Sequence, residues 1–353
     1  MDRTTRLKSL EALSRERVLV LDGGMGTEIQ THGLSEEDFR GERFADWSCF
    51  LKGNNETLNL TRLDLIKDIH GTFFEAGADI IETNTFSATQ IAQADYRMES
   101  LAAEIAETGA RLAREVADAF EVSTGQPKAV MGAIGPTNKT LSLSPNVEDP
   151  GYRAVTFDEV RDTYAEQAQA MAPYVDFFLI ETVFDTLNAK AAIKAILDLR
   201  ASGLVDDEIP IIVSGTITDA SGRTLSGQTT EAFYNSVRHA EPWAIGLNCA
   251  LGAKELRPYV KELARVAECK VLAYPNAGLP NAFGEYDETP QQTAALVSEW
   301  LEEGWLNIVG GCCGTRPSHI AAMKQAADLG VPRTPPQRPV AMRLAGLEPF
   351  EVS

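Results

Sequence analysis

An alternation repeated eight times constrains this chain more than any other feature: a short apolar run followed by a helical pattern. The runs fall at residues 18–21, 79–82, 129–133, 176–180, 210–214, 243–247, 270–274 and 306–309. Each is continuously apolar rather than alternating, which is how a parallel strand covered on both faces reads. Between them, residues 63–76 put Ile66, Ile69 and Phe73 at helical spacing ahead of Gly77, and 100–120, 157–172, 189–201, 230–239, 253–267, 289–303 and 317–327 carry similar patterns. Strand then helix, eight times, predicts an α/β protein of the (β/α)8 TIM-barrel class. A doubly wound open sheet is the competitor, but residues 22–27 do not match the glycine-rich dinucleotide loop that usually follows its first strand.

The expected organisation is one barrel domain over 18–331, a helical extension over 1–17 carrying Leu7, Leu10 and Leu13, and a Pro-rich extended strap or linker over 332–353. The segment 30–62 is long for a βα loop, so it is expected to be functional or to carry structure of its own.

The unusual residues fall where the runs end. Asp22-Gly23-Gly24-Met25-Gly26 follows the first, Glu82-Thr83-Asn84-Thr85 ends the second, and Gly135-Pro136-Thr137-Asn138 follows the third. Glu181-Thr182, Ser214-Gly215-Thr216, Asn248-Cys249, Pro275-Asn276-Ala277-Gly278 and Gly310-Gly311-Cys312-Cys313-Gly314 close the remaining five. In a (β/α)8 barrel these ends meet on one rim, where active sites lie.

The cysteines make the chemistry specific. Cys249 and Cys312 belong to strands six and eight, close enough on one rim for a metal to bridge. Adjacent Cys312 and Cys313 would point to opposite faces of a regular strand. Both can face one ion if the chain bends, and the flanking glycines give that freedom. Three thiolates suit zinc, and three ligands without a fourth read as an open, catalytic site. None of the four histidines ends a strand, although His319 opens the helix after Cys313. The alternatives for Cys312-Cys313 are two core thiols or a vicinal redox disulfide. Cys49 and Cys269 read as buried, reduced thiols.

Neighbouring groups suggest the substrate. Asp22 and Glu181 can receive an ammonium group. The turn Gly23-Gly24-Met25-Gly26 exposes N–H groups that can hold a carboxylate, although taken alone it reads as an ordinary tight turn. Glu82 reads either as a substrate contact or as a hydrogen-bond acceptor behind one. Zinc, an ammonium acceptor and a carboxylate nest describe a site for a thiol-bearing amino acid.

Composition narrows the partners. With 51 acidic and 32 basic residues the net charge is −19, which argues against nucleic acid. No apolar run approaches the ~20 residues of a membrane span, and the N-terminus lacks the features of a signal peptide. A cytoplasmic protein that does not engage membranes is the expectation.

These motifs resemble the homocysteine-binding domain of cobalamin-dependent methionine synthases, within the zinc-dependent homocysteine S-methyltransferase family. The resemblance runs from about Val18 to Pro349 and is carried by 21–30 (LDGGMGTEIQ), 39–47 (FRGERFADW), 82–86 (ETNTF), 135–140 (GPTNKT), 179–192 (LIETVFDTLNAKAA), 214–228 (SGTITDASGRTLSGQ), 246–252 (GLNCALG), 275–287 (PNAGLPNAFGEYD) and 310–314 (GGCCG). It implies that Cys249, Cys312 and Cys313 are the catalytic zinc ligands and that Asn276 fills the fourth position when substrate is absent. It implies that Asp22 and Glu181 lie near the substrate amine, and the amides of Gly23, Gly24 and Met25 near its carboxylate. The implied reaction is S-methylation of homocysteine to methionine, with the methyl group from methylcobalamin on a partner module or chain and with cobalamin-binding and folate-binding modules as partners. The long runs at 39–47 and 276–287 are similar to the methionine synthase branch in particular. In that enzyme the barrel is the first module of a longer chain; here the expectation is a split subunit or an excised domain. The rivals are a stand-alone methyltransferase using betaine or S-methylmethionine, a non-catalytic zinc-stabilised interaction module, and a redox protein.

Overall fold

A computed structural model of the chain describes residues 1–218 and 221–352; Asp219 and Ala220, inside the 214–228 motif, and Ser353 lie outside the described residues. The eight apolar runs are eight parallel strands: β1 (Leu19–Val20), β2 (Ile80–Glu82), β3 (Ala129–Ile134), β4 (Phe177–Val183), β5 (Ile211–Gly215), β6 (Ala244–Gly252), β7 (Lys270–Asn276) and β8 (Ile308–Val309). They pair in the order β1-β8-β7-β6-β5-β4-β3-β2. A parallel bridge from Leu21 to Ile80 joins β1 to β2 and closes the ring, giving the expected (β/α)8 barrel. Asp79 tightens that seam. Its N–H donates to the Val20 carbonyl at 2.7 Å, and its carboxylate accepts the Val20 N–H at 2.9 Å and both Arg17 Nη groups at 2.7 and 2.8 Å.

The strands are apolar throughout because each feeds two cores. Leu19, Met131, Phe177, Leu179, Ile212 and Leu272 point into the barrel. Val20, Val130, Phe178, Val213, Ile245 and Val271 pack outward against the helices. This two-residue period sets the site, because Glu82, Glu181, Ser214, Asn248 and Asn276 continue the inward-facing positions to the strands' C-terminal ends.

The N-terminal helix Arg3–Glu16 covers the opposite mouth of the barrel. Leu10 is fully buried in the inner cluster, with Leu7, Leu13 and Trp243 packed around it. Buried Arg6 anchors the helix, donating to Glu121 at 2.6 and 3.0 Å and to Asp176 at 2.7 Å. The segment 30–62 carries short helical pieces, Glu36–Arg40, Asn55–Thr57 and Leu58–Thr61.

At the C-terminus, part of the Pro-rich tail folds into an antiparallel hairpin of β9 (Met342–Ala345) and β10 (Pro349–Val352). Its turn docks on the loop after β5: Thr229 N–H donates to the Leu347 carbonyl at 3.0 Å, Gln228 Nε2 to the Gly346 carbonyl at 2.9 Å, and Arg223 pairs with Glu348. Polar long-range bonds of this kind leave no periodic trace in sequence. Among the described residues no helix is long and apolar enough to cross a membrane.

Candidate functional site

β6 outruns its apolar stretch by several residues, and that extension builds the site. Asn248 pairs with Tyr274 but Gly252 pairs with Asn276, so four steps along β6 match two along β7. The slack is taken up at Cys249 (φ 57°) and Ala250 (φ 54°), both in the left-handed region that side-chain-bearing residues rarely enter. Each such residue costs roughly 1–2 kcal/mol. The strand alternation would aim Cys249 outward, and this bulge breaks the alternation and brings its sulfur to the rim.

The other two thiols come from the segment after β8, threaded between the ends of β1 and β7. Gly311 N–H donates to the Asp22 carbonyl at 3.0 Å, Cys312 N–H to the Pro275 carbonyl at 2.9 Å, and Ala277 N–H to the Cys313 carbonyl at 2.9 Å. Gly314 closes the bend with φ +79°, and a Cβ there would lie 2.3 Å from Cβ of Tyr286. Only glycine satisfies both demands.

The result is a cluster of the three predicted cysteines. Cys249 Sγ and Cys313 Sγ are 3.8 Å apart, and all three sulfurs lie within 4.8 Å of one another. A tetrahedral zinc with bonds of ~2.3 Å sets its sulfurs about 3.8 Å apart, so the donor set fits zinc. Among themselves the thiols favour a single negative charge: hydrogen bonds from Cys249 and Cys312 hold Cys313 low, at about 3, while bonding to Cys249 and Cys313 pushes Cys312 well above the thiol range. A divalent cation is the counter-charge that would let all three ionise.

Beside the cluster, inside the barrel, lie three acids. Asp22 and Glu181 are buried, and Asp22 Oδ2 accepts the Glu82 N–H at 3.0 Å. Burial raises Glu181 to about 8, with the Cys249 sulfur adding to it. Burial also lifts Asp22 and Glu82 well above the carboxylate range, reinforced by the Glu181 charge. Glu82 Oε1 is buried without a hydrogen-bond partner, and the buried hydroxyl of Tyr274 lies among Glu181, Glu82 and Ser214. A buried carboxylate oxygen left open among three acids is what a cationic group satisfies.

Asn276 is buried at the end of β7, where its Oδ1 accepts the Cys313 N–H at 3.1 Å and its Nδ2 approaches the Tyr286 hydroxyl at 3.5 Å. Gly23 and Gly24 press against the Cys312–Thr315 segment; a Cβ on Gly24 would meet the Cys312 carbonyl at 2.7 Å. The Gly24 N–H already donates to Thr315, to its carbonyl and its Oγ1 at 3.1 Å each. Met25 opens the helix Met25–Thr31, whose first N–H groups have no acceptor within the helix. Thus the structure brings together the three cysteines, Asp22, Glu181, Asn276 and the glycine turn. Sequence reading gave no role to Tyr274, Tyr286 or Asn248. The inward parity of β6 and β7 was the available signal for Asn248 and Tyr274.

The sequence profile of the homocysteine S-methyltransferase family matches residues 19–327. The chain belongs to that family. The shared reaction is transfer of a methyl group to homocysteine sulfur. Among solved structures, this family member is similar to the homocysteine methyltransferase MmuM from Escherichia coli. The oxidised form is 21% identical, with a TM-score of 0.68 over 91% of this chain and 99% of that one. The metallated form is also 21% identical, with a TM-score of 0.66 over 89% and 98%. At this identity the likeness speaks for the shared barrel fold.

Proposed function

We propose that this homocysteine S-methyltransferase holds one zinc ion on Cys249, Cys312 and Cys313, binds homocysteine with its sulfur at that centre, and makes methionine with a methyl group that methylcobalamin brings from a separate module or chain. The observation that carries this reading is the convergence of three thiols, from the ends of β6 and β8, beside a buried acid cluster. A bound zinc supplies the charge that keeps a coordinating thiol ionised, whereas a free thiol of pKa ~8.5 is only roughly 3% ionised at neutral pH.

The protein's own groups do the rest. Asp22 and Glu181 receive the substrate ammonium, whose charge offsets the burial that raises both acids. Since Gly24 N–H is committed to Thr315, the amides of Gly23 and Met25 are among the donors left in that turn for the substrate carboxylate. Asn276, bonded through Oδ1 to the Cys313 amide, is the group beside the cluster that gives way as the thiol enters. Held at three points, the substrate presents its sulfur on the open rim, where a cobalamin-binding or folate-binding partner module can dock.

The test is methyl transfer to homocysteine from methylcobalamin, betaine or S-methylmethionine, each with and without zinc. Methionine should form with methylcobalamin, disappear on chelation and return with zinc. Turnover with betaine or S-methylmethionine instead would replace the donor assignment, and zinc-independent turnover would overturn the reading.

A further inference from the structure

The span between the two ends of the substrate site is not fixed by the strand ladder. Between β4 and β5 the register slips from Ile180↔Val213 to Val183↔Gly215, three steps against two, and Thr182 sits at φ 53°. β6 slips next to Cys249 in the same way. Glu181 and Cys249 therefore both stand beside backbone that has left the regular sheet, on strands separated by β5.

One buried amide spans that gap. Asn248 Oδ1 accepts the Thr182 N–H at 3.1 Å and the Ser214 hydroxyl at 2.7 Å, and its Nδ2 donates to Thr182 Oγ1 at 2.8 Å. Its carbonyl accepts the Thr216 hydroxyl at 3.0 Å. Both lone pairs of Oδ1 are used, and β4, β5 and β6 are tied at a single side chain. That side chain precedes Cys249 by one residue, and its partner Thr182 follows Glu181 by one. A side-chain clamp stands where main-chain pairing has failed.

We propose that Asn248 is a positioning residue that fixes the distance between Glu181 and Cys249, and so selects the chain length of the thiol amino acid that can reach both. The proposal rests on the assignment of Glu181 to the amine and Cys249 to the sulfur end. Cysteine, one methylene shorter than homocysteine, cannot satisfy both ends of a rigidly held span. A loosened span lets the ends approach and relaxes that discrimination.

The experiment measures zinc content and the Kd of L-homocysteine and L-cysteine by calorimetry on the zinc-loaded protein, for wild type, Asn248→Ala, Thr182→Val and Ser214→Ala. The wild type should prefer homocysteine. Asn248→Ala should keep its zinc and lose roughly tenfold of that preference, and Thr182→Val should shift it the same way by less. A homocysteine-to-cysteine ratio unchanged while both affinities or the melting temperature fall would overturn the proposal, leaving the amide a structural tie only. If Asn248→Ala does not fold, the ratio in Thr182→Val and Ser214→Ala decides by the same criterion. A wild type that binds neither amino acid removes the functional reading and this proposal with it; a discriminating wild type with equally discriminating variants removes this proposal alone.

Discussion

Cys249 Sγ lies 3.8 Å from Cys313 Sγ although the two residues are 64 positions apart. The left-handed bulge of β6 on one side and the glycine-flanked bend after β8 on the other create that approach. Each cysteine should therefore be individually required for metal. Purified protein should carry about one zinc, and Cys249→Ser, Cys312→Ser and Cys313→Ser should each release most of it by elemental analysis with little change in far-UV circular dichroism. Homocysteine should add a fourth sulfur to the zinc shell in X-ray absorption, and an unchanged shell would sink the substrate assignment.

The acid cluster should act on the amine end alone. Glu181→Gln and Asp22→Asn are expected to weaken homocysteine binding by about 1.5–3 kcal/mol, roughly ten- to a hundredfold, the usual worth of a hydrogen bond to a charged group. Zinc content should hold. The same thiol acid without the amine, 4-mercaptobutyrate, should bind wild type and variants alike. Equal losses for both ligands would assign these acids to the fold instead.

His70 gives a pH signature of stability. It lies on the helix Leu63–Glu75 with both ring nitrogens buried and unpartnered, and burial holds it down at about 3. Between pH 6.5 and 3 the unfolded chain binds a proton that the folded one refuses. The neutral imidazole's contribution is thus intact above ~6.5 and is lost as pH falls. From pH 6.5 to 5 the loss should approach about 2 kcal/mol, at 1.36 kcal/mol per pH unit. Urea melts at pH 7 and 5 should show a smaller drop for His70→Leu than for wild type.

The helix that covers the far mouth of the barrel should matter for stability and not for chemistry. Leu10→Ala empties a fully buried position among the inward side chains, at a cost of about 2–5 kcal/mol. Arg6→Ala removes the buried cation that Glu121 and Asp176 share and leaves them only the N-terminal ammonium and Arg114 respectively, at a cost below the about 3–5 kcal/mol of a fully unpaired buried charge. Both variants should melt earlier yet retain zinc at low temperature. Loss of zinc without loss of stability would contradict this division.

Part of the site was open to reading from residue order. Strand ends of a parallel barrel share a rim, so Asp22, Glu181, Cys249, Asn276, Cys312 and Cys313 could be gathered without coordinates. Asn248 was placed on the rim without a role, and Tyr274 escaped notice although the inward parity of its strand would have pointed to it. The docked hairpin of 342–352 also escaped, because a tail rich in proline shows no period and its anchors are single bonds to Gln228 and Thr229.

The sequence by itself determined the eight-fold strand–helix order, the closed parallel sheet and which three cysteines share the rim, because these follow from local periodicity and from which residues stand at strand ends. Tertiary structure alone decided how those thiols meet. Regular alternation aims Cys249 away from the site, and only the register slip between β6 and β7, taken up at two left-handed residues and tied through Asn248 to β4 and β5, turns its sulfur toward Cys313. Register is a property of pairs of strands, held by hydrogen bonds between residues far apart in the chain, and no single stretch of sequence contains it.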